Sequence, residues 1–226
     1  TKHSFRKQEN SFIVEGAIFV KDILKKQMSA IQHIYIDESS NFEFSELNNL
    51  KSVYYLDHKT FKTISSLKSS SGVMAVVQQP FWNIDRVISE ANNSIILDQV
   101  QNPMNIGAII RNCAAFGIDA VFYTKGSADP FHIESIRAMA GNYFQVPILE
   151  ISASHFSKLK NSHASFYTLD INANNLLKDV KFGDKNIFIF GSEGRGIISH
   201  SLIKELHPQG IKIDMVGNVD SLNVAV

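Results

Sequence analysis

The chain has 226 residues, of which 44% are hydrophobic, and its 22 basic residues balance 22 acidic ones. This composition excludes a disordered or strongly basic protein and leaves room for one large domain or two small ones. The single cysteine, Cys113, excludes an internal disulfide, and the sequence has neither a signal peptide nor an apolar run that could span a bilayer. We therefore expect a cytoplasmic protein.

Short apolar runs predict eight strands, and helical patterns alternate with them along the chain. The strands are expected at 33–36, 53–56, 73–77, 94–97, 120–123, 166–169, 187–190 and 211–213. The helices are expected near 15–28, 43–50, 59–67, 105–116, 131–144, 155–161 and 199–206. Continuous apolar strands that alternate with helices are typical of α/β folds with a mostly parallel sheet.

A domain boundary is predicted near Pro80, where an extended run ends and a polar segment begins. We expect a small α/β domain at 1–79, a linker at 80–92 and a larger α/β domain at 93–226. The last residues are apolar, which predicts that a further helix follows Val226 in the natural protein.

A glycine-rich stretch, FGSEGRGI at 190–197, follows a predicted strand. It has neither the G-x-G-x-x-G spacing of a dinucleotide-binding loop nor the Gly-Lys-Ser/Thr of a phosphate-binding P-loop. Glu193 would also repel a phosphate. Two interpretations remain: a tight turn without a ligand, or a backbone surface that a neutral or cationic ligand approaches closely.

A second stretch, residues 95–117, predicts a strand, a turn at Asn102-Pro103 and a helix with Asn105 as N-cap and Gly117 after its last turn. Arg111 lies among apolar residues of this helix, so its charge requires a structural carboxylate or an opening to a groove. Ligands in α/β sheets bind at the carboxyl ends of strands, so a phosphate or substrate contact is the alternative to a structural ion pair.

The remaining features have simple structural explanations. Residues 211–226, taken alone, predict a strand followed by a surface turn and a helix start. Cys113 among apolar helix residues is typical of a buried structural cysteine rather than a nucleophile. The eight histidines show no metal-ligand spacing, so no metal site is predicted.

Taken together, the three stretches resemble the SpoU class, also called TrmH-type, of the SPOUT superfamily of RNA 2′-O-ribose methyltransferases. The first resembles motif 1 of the family in Leu97-Asp98, Asn102-Pro103-x-Asn105-x-Gly107, Arg111 and Phe116-Gly117. The second resembles motif 2 in Gly191-Ser192-Glu193-Gly194-x-Gly196, and the third resembles motif 3 in Ile213-x-Met215 and Ser221-Leu222-Asn223-Val224. Residues 6–16 and 72–77 resemble the ends of the family's substrate-binding domain, which is similar to a ribosomal protein. Asp214 is a departure, because the family often has proline there.

The resemblance implies an α/β domain with a C-terminal trefoil knot whose loops bind S-adenosylmethionine. The implied cofactor-binding residues are Thr168, Leu169, Gly191, Ser192, Glu193, Gly194, Gly196, Ile213, Met215, Leu222 and Asn223. The implied catalytic residues are Asn105, Arg111, Glu193, Ser221 and Asn223. Glu193 is compatible with this cofactor, because the sulfonium is cationic.

The resemblance also implies a role for Arg111 as the base that removes the proton of the ribose hydroxyl. Neutralising a guanidinium at pH 7 costs about 7 kcal/mol. The physical chemistry therefore favours a phosphate clamp and electrostatic stabiliser, and both roles stay open.

The expected partner is RNA, held by the N-terminal domain and by the second subunit of a homodimer. Arg6, Lys7 and Arg137 are the expected phosphate contacts. Family members that act on large-subunit rRNA often carry such an N-terminal domain, which favours rRNA over tRNA. The alternatives are a tRNA 2′-O-methyltransferase, a non-catalytic RNA-binding or ribosome-assembly protein on the same scaffold, and an unrelated nucleotide-binding enzyme.

Overall fold

The computed structural model describes residues 3–50, 52–192, 201–216 and 222–225. The chain divides into two compact units, one formed by residues 1–80 with 131–141 and the other by residues 81–130 with 142–226. The strands in chain order are β1 Ser11–Glu15, β2 Ile31–Asp37, β3 Val53–Leu56, β4 Val73–Gln78, β5 Asn93–Leu97, β6 Ala120–Thr124, β7 Ile148–Ile151, β8 Ser165–Leu169, β9 Asn175–Leu176, β10 Asn186–Phe190 and β11 Gln209–Lys212. The α-helices are α1 His3–Glu9, α2 Ala17–Lys26, α3 His58–Ile64, α4 Ile84–Glu90, α5 Pro103–Phe116, α6 Ile133–Met139, α7 Ala153–Lys160 and α8 Ser201–Lys204.

The first unit contains a four-stranded mixed sheet in the order β1-β4-β2-β3. Strand β4 runs antiparallel to β1 and β2, whereas β2 and β3 are parallel. The expectation of a mostly parallel sheet is therefore wrong for this unit, because β4 returns between two strands that run the other way. Helix α2 packs its buried Val20, Ile23 and Leu24 against β1 and β4.

The second unit contains a seven-stranded sheet in the order β7-β6-β5-β10-β8-β11-β9, in which every pair is parallel. Its central strands are buried, as the continuous apolar runs predict, and Ile96, Phe122 and Ile189 lie in its core. Parallel strands present all their carboxyl ends at one edge of the sheet. That edge is where the predicted site residues follow their strands.

Helix α5 begins earlier than the sequence suggested. Asn102 is the N-cap, and its Oδ1 accepts a hydrogen bond of 2.9 Å from the Met104 backbone N–H. The assignment of Asn105 as the cap is wrong, because Pro103 fits the first helical position, where its missing N–H costs nothing. Gly117 ends the helix in the left-handed region at φ 72°, as predicted.

Several other boundaries differ from the expectation. The segment expected to be a linker contains α4, capped by Asn83, whose Oδ1 accepts from the Arg86 N–H at 3.0 Å. Residues 43–50 form a 3-10 helix at Ser45–Asn49 rather than an α-helix. Strands β1, β7 and β9 were not predicted, since they are short and flanked by polar or turn residues. Within the described ranges, no helix is long and apolar enough to cross a membrane.

Candidate functional site

Three neighbouring strands carry predicted cofactor-binding residues at their carboxyl ends. Strand β8 lies between β10 and β11, with Thr168 paired to Ile189 on one side and Leu169 paired to Ile211 on the other. Neighbouring strands are about 4.8 Å apart, so the three strand ends fall within about 10 Å of one another. The structure therefore brings together three chain segments that the sequence separates by more than 20 residues each, namely 168–169, 191–192 and 213–215.

The surface at these strand ends suits a flat, mostly apolar group. Leu169 is 42% exposed although it is a large apolar residue at the end of a strand. Gly191 and Ser192, which follow β10, add little side-chain bulk beside it. An adenosyl group has this character, so the residues present fit S-adenosylmethionine at this edge.

The adjacent strand β5 leads into the predicted catalytic helix through a fixed turn. The Asp98 backbone N–H donates to the Phe190 carbonyl at 2.8 Å, which joins the end of β5 to the end of β10. Thr124 Oγ1 donates to the buried Asp98 carboxylate at 2.8 Å and accepts from the Gln99 N–H at 3.2 Å. These bonds hold the start of the β5–α5 loop next to the end of β10.

The two candidate catalytic residues on α5 have different surroundings. Asn105 is 8% exposed and lies in the first turns of the helix. Arg111 is exposed, and no described residue forms a hydrogen bond or ion pair with it. The interpretation of Arg111 as a partner of a structural carboxylate thus finds no support in the described part of the chain, whereas the groove alternative stays open.

Residues 222–225 lie beside α5. Asn112 Nδ2 donates to the Ala225 carbonyl at 3.0 Å, and a cavity of 230 Å³ is lined by Cys113, Phe116 and Val224 together with other apolar residues. The Asn223 side chain accepts from the Ala225 N–H at 2.8 Å, so its oxygen is engaged within a local turn. Leu222 is 46% exposed.

Cys113 is a structural residue, as expected. It is 2% exposed, and burial raises the pKa of its thiol to about 12. Four predicted site residues, Glu193, Gly194, Gly196 and Ser221, lie outside the described residues.

The three predicted RNA contacts differ in how far their side chains are exposed to solvent. Arg6 is 6% exposed, so it has little surface to offer a phosphate, and its role as an RNA contact stays a prediction. Arg137 is partly exposed and is paired with Glu15 within the first unit. Lys7 is exposed and stays a prediction.

Sequence reasoning missed two residues that organise this region, Asn112 and Thr124. Neither forms part of a recognisable motif, and their roles depend on partners 113 and 26 residues away. No group of three His, Cys, Asp or Glu side chains that could hold a metal occurs among the described residues.

Two family models match the chain. Residues 92–226 match the SpoU rRNA Methylase family, and residues 1–75 match the MRM3-like substrate binding domain. The Bacillus subtilis 23S rRNA (guanosine(2553)-2′-O)-methyltransferase RlmP is 25% identical over 98% of this chain and 86% of its own length.

Two further proteins are similar over most of the chain. An uncharacterized tRNA/rRNA methyltransferase of Borreliella burgdorferi is 30% identical over 89% of this chain and 86% of its own length. The SpoU methyltransferase AviRb of Streptomyces viridochromogenes, solved in complex with AdoMet, covers all of this chain and 89% of its own with a TM-score of 0.83 at 19% identity. The likeness to AviRb shows the same α/β fold in both units, and the family match extends over the whole of the seven-stranded sheet. The chain belongs to the SpoU rRNA Methylase family.

Proposed function

We propose that this protein transfers a methyl group from S-adenosylmethionine to a ribose 2′-hydroxyl of RNA, with large-subunit rRNA as the favoured substrate. The observation that carries the proposal is the meeting of 168–169, 191–192 and 213–215 at the ends of three adjacent parallel strands. Each segment comes from a different part of the sequence, and each was expected to bind the cofactor. A cytoplasmic location of the reaction belongs to the same proposal.

The bound cofactor supplies an electrophilic methyl group on a sulfonium. The chain holds it against the apolar Leu169 and the small residues after β10, and it aligns the ribose hydroxyl with the methyl group. Alignment of two reacting groups can supply about 7–11 kcal/mol of the barrier. Asn105 and Asn223 belong to the residues that position the ribose and the cofactor.

Arg111 acts on the RNA as an electrostatic clamp. Guanidinium groups stay protonated at physiological pH and bind phosphate in a bidentate fashion. The exposure of Arg111 and its lack of a described ion pair leave its donors available for a phosphate or for charge that develops on the ribose oxygen. Deprotonation of the hydroxyl then falls to another group or to water.

The rRNA substrate is supported by the similarity to RlmP, a 23S rRNA 2′-O-methyltransferase, over nearly the whole chain. The match of residues 1–75 to a substrate binding domain supports a role of the first unit in holding RNA, with Lys7 as one contact. The similarity to the tRNA/rRNA methyltransferase of Borreliella burgdorferi keeps tRNA as the second candidate. Methylation assays with purified rRNA and tRNA in parallel separate the two.

A trefoil knot and a homodimer complete the proposal. Residues 222–225 lie against α5, which is consistent with a C-terminal segment tucked through a loop. On α5 itself, Phe116 is 82% exposed and Met104 is 59% exposed, so this helix offers apolar side chains to a second subunit. Sedimentation analysis of Phe116→Glu tests the dimer. We expect the wild type to be dimeric and the variant to be monomeric. A variant that remains as dimeric as the wild type would show that α5 is not the interface.

Cofactor binding is tested by calorimetric titration with S-adenosylhomocysteine, ATP and NAD. We expect binding of S-adenosylhomocysteine only, and a loss of at least about tenfold in affinity for Leu169→Asp, which places a charge at the apolar strand end. The matched control is Leu177→Asp, at a residue of similar exposure (37%) in the 3-10 helix Leu177–Asp179. Equal loss in both variants, or binding of ATP or NAD by the wild type, would contradict the assignment.

A further inference from the structure

Three aromatic side chains form a partly exposed cluster on the sheet of the first unit. Tyr35 in β2 and Tyr54 in β3 are register partners, and their rings stack with centroids 5.3 Å apart and an interplanar angle of 20°. His33 lies two residues before Tyr35 on the same face, with its ring 5.8 Å from Tyr54 and 6.4 Å from Tyr35. Tyr54 is 44% exposed, and the other two are half-buried.

The cluster continues as an apolar strip across the whole sheet. Val76 in β4 pairs with His33, and Ile13 in β1 pairs with Val76, so these side chains share the face of the aromatic rings. Both are half-buried. The strip crosses three inter-strand gaps, a length of about 14 Å. We call Ile13, Val76, His33, Tyr35 and Tyr54 the aromatic strip.

The face of the sheet that carries the aromatic strip is exposed at one end of the strands and buried at the other. Toward the carboxyl end of β1, Glu15 lies on the same face and is buried beneath Ser65, Ser66 and Arg137. The opposite face carries the buried Phe12 and Val14, and the ring of Phe131 lies 5.4 Å from that of Phe12. The sheet thus leaves the aromatic strip uncovered at one end of one face.

The geometry points to a binding site for unpaired RNA bases on the aromatic strip. Sequence-specific and general RNA binders hold single-stranded bases by stacking them on Tyr, Phe, Trp or His, because every base has a π-face. A length of about 14 Å accommodates two to four nucleotides at the spacing of stacked bases, about 3.4 Å.

RNA is the occupant for two reasons. The unit that carries the strip matches a substrate binding domain, and the chain belongs to an RNA methylase family. The inference rests on the proposed function for the identity of the ligand as RNA, and it adds where and how the first unit holds it. A single-stranded loop or bulge, rather than a regular duplex, is the substrate element that this surface would take, since duplex bases are already stacked.

The test uses the full chain and a single-stranded RNA hexamer that carries one 2-aminopurine, whose fluorescence falls when the base stacks. The variants are Tyr54→Phe, which keeps the aromatic ring, and Tyr54→Leu, which keeps an apolar side chain but removes the aromatic ring. Tyr55→Leu is the matched control, because Tyr55 is adjacent, 60% exposed and on the opposite face of the same strand. Thermal unfolding of each variant confirms that it folds.

We expect Tyr54→Leu to weaken RNA binding about tenfold and to restore the fluorescence of the probe, at one fixed salt concentration. Tyr54→Phe and Tyr55→Leu should bind as the wild type does. Equal binding by Tyr54→Leu and the wild type would overturn the inference. So would an effect of Tyr54→Leu on self-association alone, which would make the strip a contact between copies of the chain.

Methyl transfer by the wild type to cellular RNA is measured on the same preparations. This measurement distinguishes failure of the aromatic-strip inference from failure of the proposed function. Transfer that proceeds with no dependence of RNA binding on Tyr54 would leave the proposed function standing and remove the aromatic strip as its RNA site. Binding that depends on Tyr54 with no transfer to any RNA would support the strip and overturn the proposed function.

Discussion

Arg137 Nη2 lies 3.5 Å from Glu15 Oε2, so helix α6, which follows β6 in the sequence, is held to the first strand of the N-terminal unit. The Glu15 side chain is 1% exposed and also accepts hydrogen bonds from the Ser66 N–H and Oγ, at 3.2 and 2.6 Å, and from Ser65 Oγ. Arg137 Nη2 also donates to Ser66 Oγ. The segment between motifs 1 and 2 therefore completes a unit that the sequence had confined to residues 1–79.

This pair predicts a loss of stability when one partner is removed. Arg137→Met leaves the Glu15 carboxylate buried without its cation, and we expect the free energy of unfolding to fall by about 2 kcal/mol, less than for a fully buried pair because Arg137 is 32% exposed. Urea unfolding measures the change. Arg86→Met, which breaks the exposed pair with Glu90, should cost less than about 0.5 kcal/mol. Similar losses in both variants would show that the buried pair has no special role.

Arg111 carries the central catalytic prediction. We expect Arg111→Ala to lower the rate of methyl transfer at least about 100-fold, because it removes a cation from the place where charge develops, while affinity for S-adenosylhomocysteine is unchanged. Single-turnover kinetics with saturating cofactor measure the rate. Arg86→Ala is the control for a general loss of positive charge on the same unit. Near-normal transfer by Arg111→Ala would remove this residue from the active site.

The Asp37–His58 pair predicts an acid-sensitive component of stability. Hydrogen bonds from Ser39, whose Oγ lies 2.7 Å from Asp37 Oδ1, and then from His58 Nδ1 at 2.7 Å lower the pKa of Asp37 from 3.8 to about 2. A pKa that is lower in the folded state stabilises the fold above pH 4 and loses this effect as the pH falls toward 2.

Asp37→Asn should therefore flatten the decline of unfolding free energy between pH 4 and pH 2, measured by urea titration at several pH values. Glu38→Gln, at the next and exposed residue, should keep the decline of the wild type. A decline that is equally steep in Asp37→Asn would contradict the role assigned to these hydrogen bonds.

Gly117 predicts a purely conformational effect. Its φ of 72° is unfavourable for a residue with a Cβ, yet no atom of another described residue, its two chain neighbours aside, lies within 4 Å of where that Cβ would be. Gly117→Ala should therefore destabilise the protein by about 1 kcal/mol through backbone strain alone. Gly183→Ala is the matched control, since its Cβ also meets no atom and its φ is not positive. It should be neutral or slightly stabilising, and equal effects of the two substitutions would refute the explanation.

The strand ends of the candidate site were predictable because they depend on local signals. The apolar runs before residues 97, 169 and 190 are continuous, and buried parallel strands require this pattern. Parallel pairing then places the segments that follow them at one edge. The adjacency of β10, β8 and β11, which brings these segments close together, depends on the strand order and was not predicted. The start of α5 was wrong by three residues, since Asn102 and Asn105 are both good caps and only Pro103 distinguishes them.

Features that depend on distant partners could not be predicted. The burial of Arg6 is decided by how a seven-residue helix packs, and such a helix is too short to show a clear apolar face. The stacking of Tyr35 on Tyr54 depends on the register of two strands separated by 15 residues. The membership of α6 in the N-terminal unit follows from its pairing with Glu15, 122 residues away in sequence.

The most direct test of the account is transfer of labelled methyl from S-adenosylmethionine to RNA isolated from cells that lack this protein. We predict label in one nucleotide of large-subunit rRNA, with the bond on its 3′ side resistant to alkaline cleavage because the 2′-oxygen is blocked. Label on a base, with normal alkaline cleavage, would contradict ribose methylation. Absence of label, with RNA binding intact, would contradict the enzymatic account and favour a role in RNA binding or ribosome assembly.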